Sequence, residues 1–225
     1  MDRIVFGIMS ILCFIPALVG HEAAHAFAAL RMGDTTAKDA NRLTFNPLNH
    51  IDPFGTVLLP LMLVMMGMPA FGYAKPVPYD PRRLRNLKVG EVVVGLAGPT
   101  SNLLMALVAA AICFVLARIP AFWTGTLSYV IFFLYYFGMV NLCIMFFNLL
   151  PIPPLDGSSV IMPLLPQRYI GTWYQIQRYA LPFLFILIVV VPAVLRMIGI
   201  NFNPLTAYIE FTAGNLSDLL FPYFS

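Results

Sequence analysis

Apolar positions run through most of this chain in long stretches with almost no polar interruption. From about Ile4 to Leu30, Val89 to Ala117, Leu127 to Leu150 and Tyr179 to Ile198 nearly every residue is apolar. Each stretch has the roughly 20 residues that a helix needs to cross a bilayer. The pattern predicts an all-α, polytopic bundle of four spans. A shorter apolar stretch, Phe54 to Phe71, carries Gly55, Pro60, Gly67 and Pro69, which break a straight helix. Pro204 to Tyr223 mixes leucines and aromatics with Glu210 and Asp218 and predicts an interfacial helix. Met1-Asp2-Arg3 carries too little charge to open a signal peptide, and no small-residue cleavage site lies between Ser10 and Gly20, so the first span is expected to be retained.

Composition strengthens the membrane reading: 60% of residues are hydrophobic and only 10% charged, against about 25% charged in an ordinary globular domain. No internal repeat, low-complexity tract or appended soluble domain interrupts residues 1–225, and a single membrane domain is expected. The net charge of +3 is too small to suggest a nucleic-acid partner. Its placement is more telling. Arg31, Lys38, Arg42, Lys75, Arg82, Arg83, Arg85 and Lys88 fall between the first two spans, and Arg168 and Arg178 between the third and fourth. By the positive-inside tendency these connections face the cytoplasm. One crossing by 54–71 would set the two basic clusters of the first connection on opposite sides. A re-entrant or interfacial segment restores agreement, and a plain fifth crossing is the alternative. The basic cluster 82–88 suits anionic lipid headgroups, so membrane lipids are expected partners.

One polar island stands in the first span. His21-Glu22-Ala23-Ala24-His25 sets two imidazoles one helical turn apart on one face, where both can reach a single Zn²⁺. The glutamate between them can take a proton from a metal-bound water. Such groups cost several kcal/mol each in hydrocarbon, by order of magnitude, unless paired or bound to a cation. A second island, Asn148-Leu149-Leu150-Pro151-Ile152-Pro153-Pro154-Leu155-Asp156-Gly157, unwinds the end of the third span because proline cannot continue a helix. With the orientation above, it ends on the cytoplasmic side at a depth similar to His21. Asp156 is the candidate third ligand, since a catalytic zinc usually keeps three protein ligands and a water. A helix-terminating Leu-Asp-Gly turn is the alternative. His50, the only other histidine, competes for the metal but sits before Asp52-Pro53, where a turn-stabilising or water-access role is the usual explanation. Cys13, Cys113 and Cys143 show no metal spacing and are expected to be small buried hydrophobes.

His21-Glu22-x-x-His25 followed by Asn148 to Gly157 in an apolar chain resembles the site-2 protease family of intramembrane zinc metalloproteases. Asn46 to Gly55, Gly72 to Pro78 and Ala97 to Asn102 also resemble its minimal branch without PDZ or CBS modules. The likeness covers roughly residues 5 to 160. It implies a three-helix catalytic core, one Zn²⁺ per chain held by His21, His25 and Asp156, and Glu22 as general base. It also implies cleavage of transmembrane protein substrates in or near the bilayer of a prokaryotic cell membrane, with the site nearer the cytoplasmic side. On the same likeness Asn148 is a candidate to serve the oxyanion or hold extended substrate. Asn102 is a weaker one, for which an interhelical hydrogen bond is equally suitable. Arg42 to Phe45 and Tyr73 to Tyr79 are strand-like candidates for a substrate-pairing edge at the cytoplasmic rim. A metal transporter and an inactive relative that binds helices are the competing classes. Glu22 speaks against the second, and the lack of paired halves against the first.

Overall fold

The computed structural model describes residues 3–50, 52–58, 62, 75, 77–177 and 179–224. Three long helices, α1 (Arg3–Arg31), α2 (Leu87–Leu116) and α3 (Ser128–Asn148), pack against one another pairwise. Ile8–Arg31, Leu87–Leu116 and Gly125–Asn148 are long and apolar enough to cross a membrane. Where the helices meet, side chains are small: Cys13, Ala17 and Ala29 on α1 and Ala106 and Ala109 on α2 are buried, and a Cβ on Gly20 would collide with Met105. Small residues let backbones approach where no hydrophobic drive separates protein from lipid. Leu104, Val108 and Val115 point outward and exposed, as a hydrocarbon-facing surface requires. The architecture is that of a polytopic helical membrane protein.

The basic end of α1 is tied down by backbone chemistry. Gly33 takes φ 107°, the left-handed conformation that closes helix ends, and Asp34 N–H reaches back to Ala29 O at 2.9 Å. Asp34 is fully buried. Its carboxylate accepts from Thr36 Oγ1 at 2.5 Å, Thr36 N at 2.9 Å and Asp80 N at 2.7 Å. Burial pushes this carboxyl's pKa up, but the bonds from the Thr36 side chain and from the Thr36 and Asp80 backbones, with the Arg83 charge, outweigh it and hold the group below its ordinary value. A depressed folded-state pKa contributes stability above the unfolded value of about 4, and that contribution is lost as pH falls through the folded value. The melting temperature in detergent is therefore expected to drop below about pH 4. Asp34→Ala should lower stability at pH 7 by about 2 kcal/mol, because it orphans two backbone donors, and should flatten that acid limb. An acid limb equally steep in the variant would refute the assignment.

Beyond α3 two further helical stretches pack back on the bundle. Over the expected fourth span the chain is helical through Ala180–Phe185, a π-helical turn at Ile186–Val190 and Val191–Met197, an apolar stretch that includes Pro182–Met197. Its centre, Leu184, Ile188 and Val189, packs on Leu155 beside Phe147, Leu150 and Ile152. The segment expected to lie in the interface instead runs lengthwise against α3. Tyr208 Oη donates to Phe146 O at 3.1 Å, Ala213 is fully buried beside Leu142 and Met145, and the Phe221 ring occupies the space a Cβ on Gly138 would need. Glu210 and Asp218 do lie on its exposed side. Its other face found a helix to bury against, which periodicity cannot reveal.

Of the expected re-entrant stretch 54–71, only residues 54–58, within the π-helical turn Pro53–Leu58, and residue 62 lie inside the described residues. No strand forms among the described residues. In the expected edges at 42–45 and 73–79, backbone groups are used by other partners: Arg42 Nη2 donates to Lys75 O at 2.6 Å, Lys75 N to His50 O at 3.0 Å, and Val77 N to Glu22 Oε2 at 3.1 Å. Among the described residues of these stretches, those groups are therefore already committed within the chain.

Candidate active site

Helix α1 presents His21 and His25 on one face, and the proline-rich turn after α3 carries Asp156 to meet them. Gly157 makes the turn possible by close approach: its N–H donates to Asn148 O at 2.7 Å, and a Cβ there would overlap Leu149 O and Leu150 O. Asp156 Oδ2 lies 3.1 Å from His21 Nε2 and 3.3 Å from His25 Nε2, and the two Nε2 atoms are 3.0 Å apart. These three residues form a group able to hold a metal ion.

Their partners decide where the imidazole protons sit. His25 Nδ1 lies 2.7 Å from Val94 O, an acceptor only, so Nδ1 carries the proton. His21 Nδ1 lies 2.6 Å from Asn102 Oδ1. The Asn102 amide nitrogen is committed to Ala17 O at 3.2 Å and to Asn141 Oδ1 at 2.9 Å, so this contact too is an Nδ1–H donating to oxygen. With both rings neutral, both Nε2 atoms turn bare lone pairs toward the carboxylate. Asp156 Oδ2 is buried and receives no hydrogen bond. In that neutral form three electron-rich donors face each other, an arrangement that suits a cation. Their separations are close to the roughly 3.3 Å between ligands on a tetrahedral zinc with bonds of about 2.0–2.1 Å. The donor set fits zinc.

Helix α2 closes the site from the third side because it lacks side chains there. A Cβ on Gly98 would fall on His25 Nε2 and on His21 Cε1 and Nε2, and one on Gly95 would collide with Ser159 and approach Asp156 O. Pro99 follows directly and has no N–H to give Gly95 O. The fully buried Asn102–Asn141 pair then ties α2 to α3, with Asn141 Nδ2 donating to Phe137 O at 2.8 Å.

Other residues singled out by the sequence fall outside the cluster. Glu22, on the same turn of α1, accepts from Val77 N. Asn148 donates from its side-chain amide to Ile144 O at 3.0 Å, a bond within its own helix. Asn102 serves as an interhelical link that also orients His21. His50 is buried with Nε2 2.9 Å from Thr44 O and does not join the donor group. Sequence reasoning passed over Asn141, although a lone polar residue inside an apolar helix is itself a signal. It included Gly98 and Val77 only within longer segments and gave neither a role of its own, because their importance lies in what approaches them.

Comparison with known proteins bears on the chemistry. Residues 119–191 match the profile described as Peptidase family M50. A Bacillus subtilis protein provisionally named a zinc metalloprotease, YwhC, is 34% identical over 189 residues, covering 80% of this chain and 81% of its own. Rip2 of Mycolicibacterium smegmatis, likewise provisionally named a zinc metalloprotease, is 30% identical over 158 residues, covering 69% of this chain and 57% of Rip2. The Rip2 of Mycobacterium tuberculosis is 30% identical over 182 residues, 80% of this chain and 66% of that protein. No solved structure matches the chain. A relative this similar over four-fifths of both chains settles the affiliation: the chain belongs to peptidase family M50, the zinc metalloproteases of the site-2 protease type.

Proposed function

We propose that this metalloprotease hydrolyses peptide bonds of transmembrane protein substrates within or near the bilayer, the chemistry of regulated intramembrane proteolysis, with His21, His25 and Asp156 holding zinc and Glu22 as general base. The observation that carries the reading is the depth of the donor cluster. His21 lies ten residues (31 − 21) before the basic end of α1 at Arg31, about 15 Å along the axis. That is roughly half of a hydrocarbon core of about 30 Å. By the positive-inside tendency, the basic end faces the cytoplasm.

Zinc bound there would supply Lewis acidity toward a scissile carbonyl and a water. The chain's own groups do the rest. Asn102 and Val94 O keep the imidazole protons on Nδ1. The Glu22 carboxylate takes a proton from the attacking water and delivers it to the nitrogen of the leaving amine. Asn148, whose amide gives one hydrogen to Ile144 O, offers its second to a substrate carbonyl as negative charge develops there. A helical peptide bond is shielded by its neighbours, so the substrate must unwind locally.

Purified protein in detergent is expected to hold one zinc per chain and to cut a fluorophore-labelled single-span peptide inside its apolar stretch. A strong chelator should remove metal and activity together, and added Zn²⁺ should restore both. Cleavage that persists in metal-free protein, or cuts confined to soluble flanks of the peptide, would count against the proposal.

A further inference from the structure

The short segment Val77–Asp80 crosses beside the donor cluster and is pinned at both ends and in its middle. Val77 N–H donates to Glu22 Oε2 at 3.1 Å, Tyr79 Oη to Glu91 Oε2 at 2.9 Å, and Asp80 N–H to Asp34 Oδ2 at 2.7 Å. The Val77 side chain is buried against Ala26 and Ala37, with Leu43 beside them. Both acidic anchors are buried, Asp34 at the end of α1 and Glu91 on α2. In Pro76-Val77-Pro78 the flanking prolines have no N–H, so the sole main-chain donor of the tripeptide is the one directed at Glu22.

We infer that Val77 is a positioning residue: its main-chain N–H, held in place by the Tyr79–Glu91 and Asp80–Asp34 contacts, fixes one oxygen of Glu22 and leaves the other aimed for proton transfer. The inference rests on the reading of Glu22 as general base. A carboxylate in a helix otherwise samples several rotamers, and a base contributes fully only when its geometry is set beforehand. The prolines make this segment a poor edge for pairing with substrate. Its backbone serves the enzyme's own carboxylate.

The test uses the zinc-loaded full chain in detergent with the labelled single-span peptide, and compares Val77→Pro, Val77→Ala and Tyr79→Phe. Val77→Pro deletes the donor and keeps side-chain bulk; Val77→Ala keeps the donor and loses packing. Val77→Pro should lower kcat about tenfold with KM and zinc content retained. Val77→Ala should lose more melting temperature and less kcat. Tyr79→Phe should lower kcat by a smaller factor and add nothing to Val77→Pro in the double variant. Equal kcat losses in the proline and alanine variants, or a faster Val77→Pro enzyme, would overturn the inference. If Val77→Pro fails to fold, Tyr79→Phe decides, and wild-type kcat there is also fatal. Glu22→Gln serves as reference. Full activity in that variant would bring down the base assignment itself, whereas an inert Glu22→Gln beside a fully active Val77→Pro would bring down only the positioning role.

Discussion

Replacing Glu22 with glutamine is expected to lower kcat by about 10³-fold while one zinc per chain remains bound. Glutamine keeps the length of the side chain and an oxygen that can accept from Val77 N–H, so the local fold has no reason to change. What it lacks is the capacity to take up a proton, and positioned general bases contribute about 10²–10⁴-fold. A 10³-fold loss corresponds to about 4 kcal/mol of transition-state stabilisation. Asp156→Ala should behave in the opposite way. It removes one of the three donors and leaves His21 and His25 with bare lone pairs 3.0 Å apart, so metal is lost first and activity with it. Zinc content by elemental analysis beside initial cleavage rates separates the two variants. A Glu22→Gln protein that has lost its zinc, or one that cleaves at the wild-type rate, would require another base.

Gly98→Ala should be nearly as damaging, although glycine has no side chain to take part in chemistry. Its Cβ would fall on the ring atoms of His21 and His25 that face Asp156. Neither ring has an easy retreat. His21 is held by Asn102 on one side, His25 by Val94 O, and Cys13, Ala17 and Ala26 pack α1 tightly with no exposed surface. Either α2 moves away from α1 or the imidazoles swing off the common point. Displacements near 1 Å at a reacting centre can cost about 10²-fold, and disturbing the groups that orient ligands costs about 10–100-fold in metal affinity. Zinc affinity is therefore expected to fall about 100-fold, measured by competition with a calibrated chelator. Gly171, which has open space around it, provides the contrast: Gly171→Ala should leave zinc affinity unchanged. Wild-type affinity in Gly98→Ala would mean that α2 does not close the site as tightly as the structure places it.

How far the site was legible follows from how each feature is encoded. Two histidines four apart with a glutamate between them are a local signal, because one helix guarantees their common face. Asp156 was legible as a candidate only beside the histidines, since a proline-broken turn ending in Asp-Gly at the same depth could equally use its carboxylate to close the helix. The resemblance of several segments to one protease family supplied the chemistry. Asn141 was missed because a single amide in an apolar run names no partner, and the link it makes through Asn102 to His21 spans three helices. Val77 was legible only as part of an extended stretch. That its N–H faces Glu22, rather than an incoming strand, depends on Asp34 and Glu91 fastening the residues that follow.

The sequence by itself determined the solvent, the three long helices and the residue types available for metal chemistry, because hydropathy, helical period and proline breaks act over neighbouring positions. It could not determine that the apolar stretch 179–198 packs on the turn after α3, or that 204–223 stands against α3. Both depend on which face finds a partner, and a composition average is blind to faces. Tertiary structure alone decided the protonation pattern of the histidines, through acceptors 69 and 81 residues away in the chain. It also decided the need for glycine at position 98. Distance along the chain carries no information about which atoms share a volume of a few cubic ångströms, and at this site that shared volume sets both the affinity for a cation and the direction of each lone pair.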